Sequence, residues 1–359
     1  MDKKNYFILF VVGILVFSCS SPQKTEPLFE QQKELTFNTL NVDELFFKPL
    51  CIEVFDSLLL VCDPTDEGIY TVLNLETKSI VCKGGSTGTG PNDLISSCII
   101  DKIDNHRFQV IDVSNRKTLL FDIWDIVKTG KFIPYDNISF ERISDNKENS
   151  IQLLYQINDS TCVGLGPING AKYLLHGNKE NKYIGEYPEQ SATQVNPYWI
   201  HQGILHINRE QKMFLYHSPF GYYCELMSFN NGQINPLFTD FKPHSYKVDN
   251  NECLITPETP CGINNAEIVK DGVFLLYSGQ TMKDSPKMAF YCEKILFINL
   301  SGEHKIEYKL DRMASMMAID ELKHKIYVIS VNPQTYELEL GYYKSVSYTH
   351  LRAHETTLH

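Results

Sequence analysis

Six short apolar segments recur along this chain at nearly even intervals: LLLVCD from Leu58, FQVIDV from Phe108, TCVGLG from Thr161, MFLYHS from Met213, VFLLYS from Val273 and IYVISV from Ile326. Their starts lie 50, 53, 52, 60 and 53 residues apart, a period that belongs to repeated supersecondary units. A second β-type run follows each: YTVLNL, TLLFDI, KYLLHG, YYCELMSF, KILFINL and YELELGYY. Most units then carry a further strand, such as 233–241 and 303–311. Polar turn pairs, Asn231-Gly232 and Ser301-Gly302 among them, separate the runs as hairpins require.

The first complete unit, 50–85, reads as strands at 50–55, 58–63, 69–75 and 79–84. In the second strand Leu58, Leu60 and Cys62 point one way and Leu59 and Val61 the other, so both faces are apolar and both must be covered. Four antiparallel strands covered on both faces, repeated along a chain, describe a propeller blade. The last unit, from about Ala314 to Lys344, has three strands; ELTFNTL at 34–40 is left over at the other end and would close the ring. The expected fold class is therefore all-β, a six-bladed β-propeller with four antiparallel strands per blade, closed by the N-terminal strand. A pair of β-sandwiches is the alternative, but sandwiches do not predict so even a repeat. The 20 Tyr and 20 Phe and the lack of helical periodicity agree with an all-β chain.

Neither end belongs to the repeat. Residues 1–18 carry Lys3 and Lys4 ahead of a short apolar stretch and read as a signal peptide. Val16-Phe17-Ser18-Cys19 resembles the lipobox of bacterial lipoproteins, which makes Cys19 the expected lipidated residue. Ser20 follows, without the Asp that marks inner-membrane retention, so the expected location is a lipid anchor in the outer membrane, on the periplasmic side or at the cell surface. Residues 19–33 read as a polar tether and 34–344 as the folded domain. At the other end VSYTHLRAHET back-translates into a transposase-type sequencing adapter, so 345–359 reads as an artefact. A formal net charge of −11 gives no footprint for nucleic acid and leaves the lipid as the membrane contact.

Gly88-Thr89-Gly90-Pro91-Asn92-Asp93 resembles the G-x-G-P-x-[DE] signature of TolB-like six-bladed propeller lipoproteins, and His201-Gln202-Gly203 with the following INREQKMFLY is similar to their Q-G…K-F segment. The resemblance implies the propeller fold and an envelope location; the family largely lacks an assigned activity. The same Gly-rich run has the G-x-x-x-x-G spacing of a phosphate loop, but Pro91 stands where the lysine should be.

In an up-and-down blade the β2–β3 and β4–β1 connections share one end. The long ones, 85–94, 188–199, 242–262 and 280–293, all fall there, and elaborated loops on a rigid scaffold are where recognition usually sits. Trp199, Tyr246, Met282, Asp284, Phe290 and Tyr291 are the candidate contacts. The expected function is a non-enzymatic binding or scaffold module for a protein, peptide or glycan, without a cofactor. The alternative is a metal-dependent hydrolase or lactonase of the gluconolactonase-like type. It would hold calcium or zinc in the central channel through Glu53, Asn264, Asn265 and Glu267, with His201 nearby. Cys253 and Cys261 flank one loop and could pair in an oxidising compartment, and a two-residue Asp56-Ser57 turn would set Cys51 opposite Cys62.

Overall fold

The computed structural model describes residues 28–42, 46–95, 97–140, 143, 151–168, 170–177, 180–188, 198–230, 232–249 and 252–344. Cys19, the signal peptide, the tether up to residue 27 and the 345–359 tail lie outside them. Among the described residues no helix is long and apolar enough to cross a membrane.

Strands follow the repeat. The first sheet runs Cys51–Phe55, Leu58–Thr65, Gly68–Asn74 and Ser79–Gly84, each antiparallel to the one before. Phe55 pairs with Leu58, so the turn is Asp56-Ser57, with Asp56 in the left-handed region that its short polar side chain tolerates. That register sets Cys51 opposite Cys62, and both are free thiols. Residues 58–63 are buried throughout, as a strand covered on both faces must be.

Three more sheets repeat this order. They are Ser97–Lys102, Arg107–Asp112, Lys117–Asp122 and Asp136–Ser139; Leu153–Asn158, Thr161–Leu165, Tyr173–Gly177 and Glu180–Ile184; and Ile204–Asn208, Met213–His217, Tyr222–Asn230 and Gln233–Lys242. The second sheet carries an insertion that the repeat does not announce, a helix at Ile123–Thr129 between its third and fourth strands. Asp122 caps it by accepting from the Trp124 and Asp125 amides, and Gly130 ends it at φ 66°.

Apart from a two-stranded hairpin, Lys247–Asp249 with Glu252–Leu254, the remaining described strands form one eight-stranded sheet. Ile263–Val269, Gly272–Tyr277 and Cys292–Asn299 lead into Lys305–Asp320, a strand of 16 residues. Its first half pairs with Cys292–Asn299; after an irregularity at Ala314–Met316 its second half pairs with Lys325–Val331, followed by Leu338–Lys344. One strand thus serves as the outer strand of a fifth unit and the inner strand of a sixth.

The N-terminal residues do more than the single closing strand expected at 34–40. Gln31–Leu35 lies parallel to Ile306–Leu310. Asn38–Thr39 then pairs antiparallel with Tyr342 and Gly341, and the Leu40 amide donates to Leu340. Phe37 sits edge-on to Tyr343, with the Arg312 guanidinium 4.5 Å from its ring centre. The chain changes edges between residues 35 and 38, so one segment ties two neighbouring units.

Apolar layers separate the units. Phe55, Phe108 and Phe121 fill the layer between the first two sheets. A larger cluster joins the second, third and fourth, and further layers join the fourth to the fifth unit and the fifth to the sixth. Ala318, Tyr327, Ile329 and Leu340 of the sixth unit pack against Ile52, Val54, Leu59 and Val61 of the first.

Candidate functional site

In each unit the first strand runs away from the long connections, so the two ends of the molecule differ. The end bearing β1–β2 and β3–β4 turns is the turn face; the end bearing β4–β1 and β2–β3 connections is the loop face.

A cavity of about 620 Å³ opens where the first strands reach the turn face. Every unit contributes to its lining, through Glu53, Asp101 and Lys102, Gln156, His206 and Arg209, Glu267, and Glu321. Asp101 is the hub of its wall. Its carboxylate accepts from Arg209 Nη2 (2.6 Å), Gln109 Nε2 (2.6 Å) and the Ile207 amide (3.2 Å). Arg209 also donates to the Lys102 carbonyl (2.7 Å), and Gln109 accepts from the Gln156 amide (2.9 Å). Three sheets are thereby tied at the rim through charge-assisted bonds.

The other acids are less well paired. Burial, partly offset by the Lys102 ammonium, pushes the Glu53 carboxyl from 4.5 up to about 7. Glu267 is driven well above the usual carboxylate range by burial and by Glu53. Lys102 itself donates to the Val54 carbonyl at 2.6 Å. His206 lies 3.1 Å, Nε2 to Nε2, from His217, whose Nδ1 lies 3.0 Å from the Ile263 carbonyl; burial holds His206 down at about 4.

The expected metal ligands separate. Glu53 and Glu267 share the cavity, but Asn264 is near the loop-face end of its strand, donating to the Phe290 carbonyl. Three residues at about 3.3 Å each set it some 10 Å from Glu267. The Asn265 amide oxygen is buried without a hydrogen-bond partner. Among the described residues no group of three or more His, Cys, Asp and Glu is arranged to hold a metal ion, and Lys102 supplies a competing cation.

On the loop face three connections knit into one platform. Phe220 bridges to Cys261 and Pro260 to Thr281; the Lys283 amide donates to Pro257, and Lys283 pairs with Glu258 at 3.3 Å. Of the residues expected there, Trp199, Met282 and Phe290 are exposed, joined by Val248 and Leu254 of a small hairpin, Lys247–Asp249 with Glu252–Leu254. Tyr246 and Tyr291 are half-buried. Asp284 is exposed, but its carboxylate accepts from the Thr281 hydroxyl at 2.7 Å, so it holds the turn. Cys261 is a buried free thiol; the side chain of Cys253, its expected partner, lies outside the described residues.

Beneath the platform sits a cluster the sequence does not announce. Lys172, fully buried, places its ammonium 4.1–5.8 Å from the ring centres of Tyr173, Tyr187, Tyr216 and Tyr223 and pairs with Glu225. Tyr173 and Tyr223 hydroxyls donate to the same carboxylate at 3.2 and 3.0 Å. His201 stacks on Tyr187 at 5.6 Å and is held at about 3 by burial and by His244 and Lys172, so it is a packed neutral ring.

The Gly-rich loop is also structural. Asp93 accepts from the Ser86 hydroxyl (2.5 Å) and the Gly90 amide (3.1 Å), while Lys117 and Asn115 donate to the Gly90 and Gly88 carbonyls. A Cβ on Gly88 or Gly90 would come within 2.7 Å of the Asp93 carboxylate. The glycines make room for an internal carboxylate that takes the place an outside anion would need.

Four-stranded antiparallel sheets packed in sequence around a polar axial cavity, with long loops at one end, define a protein of the β-propeller class. More narrowly, the chain belongs to the TolB-like 6-blade propeller-like family, which it matches over residues 29–322. Among solved structures it is similar to a member of the DUF4221 family from Bacteroides vulgatus, at 12% identity and a TM-score of 0.50, covering 87% of this chain and 96% of that one. It is also similar to the extracellular domain of the one-component system BT4673 from B. thetaiotaomicron (9% identity, TM-score 0.44, 84% and 35% covered). A luciferin-regenerating enzyme is a further similar structure (11%, 0.44, 87% and 98%). No protein of curated function matches the chain in sequence.

Proposed function

We propose that this chain is a lipid-anchored envelope propeller of six four-stranded blades, its ring closed by Asn38–Thr39, acting as a non-enzymatic binding module. The apolar layer between the sixth and first units supports the closed ring. The recognition surface is the loop-face platform, and the ligand a protein, peptide or glycan. The observation that carries this reading is the platform itself: Trp199, Val248, Leu254, Met282 and Phe290 are 39–45% exposed on loops hydrogen-bonded to one another and seated on a rigid scaffold. Exposed apolar side chains grouped with such support mark interaction sites more often than scattered ones do. A photo-crosslinking residue at Phe290, compared with one at the outer-strand position Leu237, tests it in native membranes. The expected result is a discrete adduct from Phe290 that disappears when Trp199 and Met282 become Ser; equal labelling from both positions refutes the platform.

The axial cavity favours a second reading, a small cationic ligand between Glu53 and Glu267. Calorimetric titration with simple amines and divalent ions, on wild type and Glu53→Gln, distinguishes it: binding lost in the variant supports the channel as a site.

A further inference from the structure

The axial cavity is bordered by two histidines whose proton positions the fold dictates. His217 is wholly buried, and its Nδ1 lies 3.0 Å from the Ile263 carbonyl, an oxygen that can only accept. That nitrogen therefore carries the proton. In a neutral ring Nε2 is then bare, and it lies 3.1 Å from His206 Nε2. Two bare nitrogens would repel at that distance, so His206 Nε2 holds a proton and donates it, which leaves His206 Nδ1 bare. Burial keeps both rings neutral, His206 down at about 4 and His217 well below the usual imidazole value. His206 lines the cavity, and its Nδ1 has no hydrogen-bond partner among the described residues. A backbone carbonyl of the fifth unit thus fixes an acceptor at the axis through two rings of the fourth.

Two acids stand at the same level. Glu53, Glu267 and His206 each come two residues before the end of a first strand, and all three line the cavity. Neither carboxyl has a cation in contact among the described residues. Lys102 spends its ammonium on the Val54 carbonyl, and Arg209 spends its guanidinium on Asp101 and on the Lys102 and Gln156 carbonyls. Both carboxyls are accordingly raised, by burial first and, at Glu267, by Glu53 next; Asp101 and Glu321 add further negative charge. This side of the wall offers acceptors and negative charge without a partner for either. A primary ammonium group supplies what it lacks, since it carries one positive charge, three donors and no acceptor.

We propose that the axial cavity recognises a small primary amine, its ammonium held by Glu53 and Glu267 and one of its N–H groups accepted by His206 Nδ1, so that His206 selects cations that can donate a hydrogen bond. This rests on the cationic-ligand reading of the cavity above and names the ligand class. Calorimetric titration of the purified full chain with methylammonium, dimethylammonium and tetramethylammonium tests it, on wild type, Glu53→Gln and His206→Leu. The expected affinity falls along that series in wild type. His206→Leu should weaken methylammonium about tenfold, the worth of a charged hydrogen bond, and leave tetramethylammonium unchanged. Tetramethylammonium binding as tightly as methylammonium, with both lost in Glu53→Gln, overturns the role of His206 and leaves the cation site standing. Titration with no cation bound overturns both readings together. Long-range proton–nitrogen spectra of the histidine-labelled wild type need no folded variant. A bare His206 Nδ1 whose nitrogen signal moves on adding methylammonium supports the proposal, and a protonated Nδ1 at neutral pH overturns it.

Discussion

Replacing Glu53 by Gln isolates the electrostatics of the axial cavity. Burial raises that carboxyl from 4.5 to about 7, which at about 1.36 kcal/mol per pH unit is worth roughly 3 kcal/mol. The folded state binds the proton more tightly than the unfolded chain. The associated stability is fully present below about pH 4.5, is lost as pH rises through 7, and is absent at pH 8. The wild-type curve alone does not isolate this, because His201 and His206 are shifted the opposite way, to about 3 and 4. Those rings contribute stability that grows as pH rises towards their unfolded value.

The difference between variant and wild type cancels the histidines. Urea unfolding at half-unit steps from pH 5 to 8.5 should show Glu53→Gln gaining about 2–3 kcal/mol on wild type across that range. Glu267→Gln should give a gain of the same sign, and the double variant less than the sum, because Glu53 contributes to the rise at Glu267. A variant whose pH dependence superimposes on wild type would falsify the assignment of the shifted proton to this pair.

Three further outcomes follow from named contacts. Lys172→Met strands the Glu225 carboxylate in a buried box and should cost about 3–5 kcal/mol, with Lys172→Met/Glu225→Leu recovering most of it; chemical denaturation of the four species measures the coupling. Phe37→Ala removes a half-buried ring packed against Tyr343, Arg312 and the Gly341 backbone and should cost about 1–3 kcal/mol, while opening the Asn38–Thr39 edge to hydrogen exchange before the other sheets. Asp93→Ala frees the Ser86 hydroxyl and the Gly90 amide; the expected effect is faster proteolysis within 85–94 at nearly unchanged melting temperature.

The repeat was legible because burial on both faces leaves a continuous apolar run, and all six runs beginning at Leu58, Phe108, Thr161, Met213, Val273 and Ile326 became second strands. The loop face was legible for a related reason: connection lengths are read directly, and strand alternation assigns their ends. The helix at Ile123–Thr129 was not, since seven residues carry too little periodicity, although Asp122 and Gly130 are its cap and stop. The cavity was half visible. Glu53 and Glu267 stood out as charges within apolar first strands, but Asp101 and Arg209 sit at or just past strand ends, where a charge normally means a solvated turn. Only the packing of units tens of residues apart converts those turns into a wall.

That difference bears on where function resides. Asp101, Gln109, Gln156 and Arg209 use their polar groups on one another and on backbone, so that side of the cavity wall is largely self-satisfied, while on the other burial holds the Glu53 and Glu267 carboxyls above the usual carboxylate range. The platform is the reverse: its backbone is bonded internally while its large side chains face outward. Because satisfied polar groups gain little from a new partner and exposed apolar surface gains about 25 cal/mol per Å² when covered, the loop face carries more of the available binding energy.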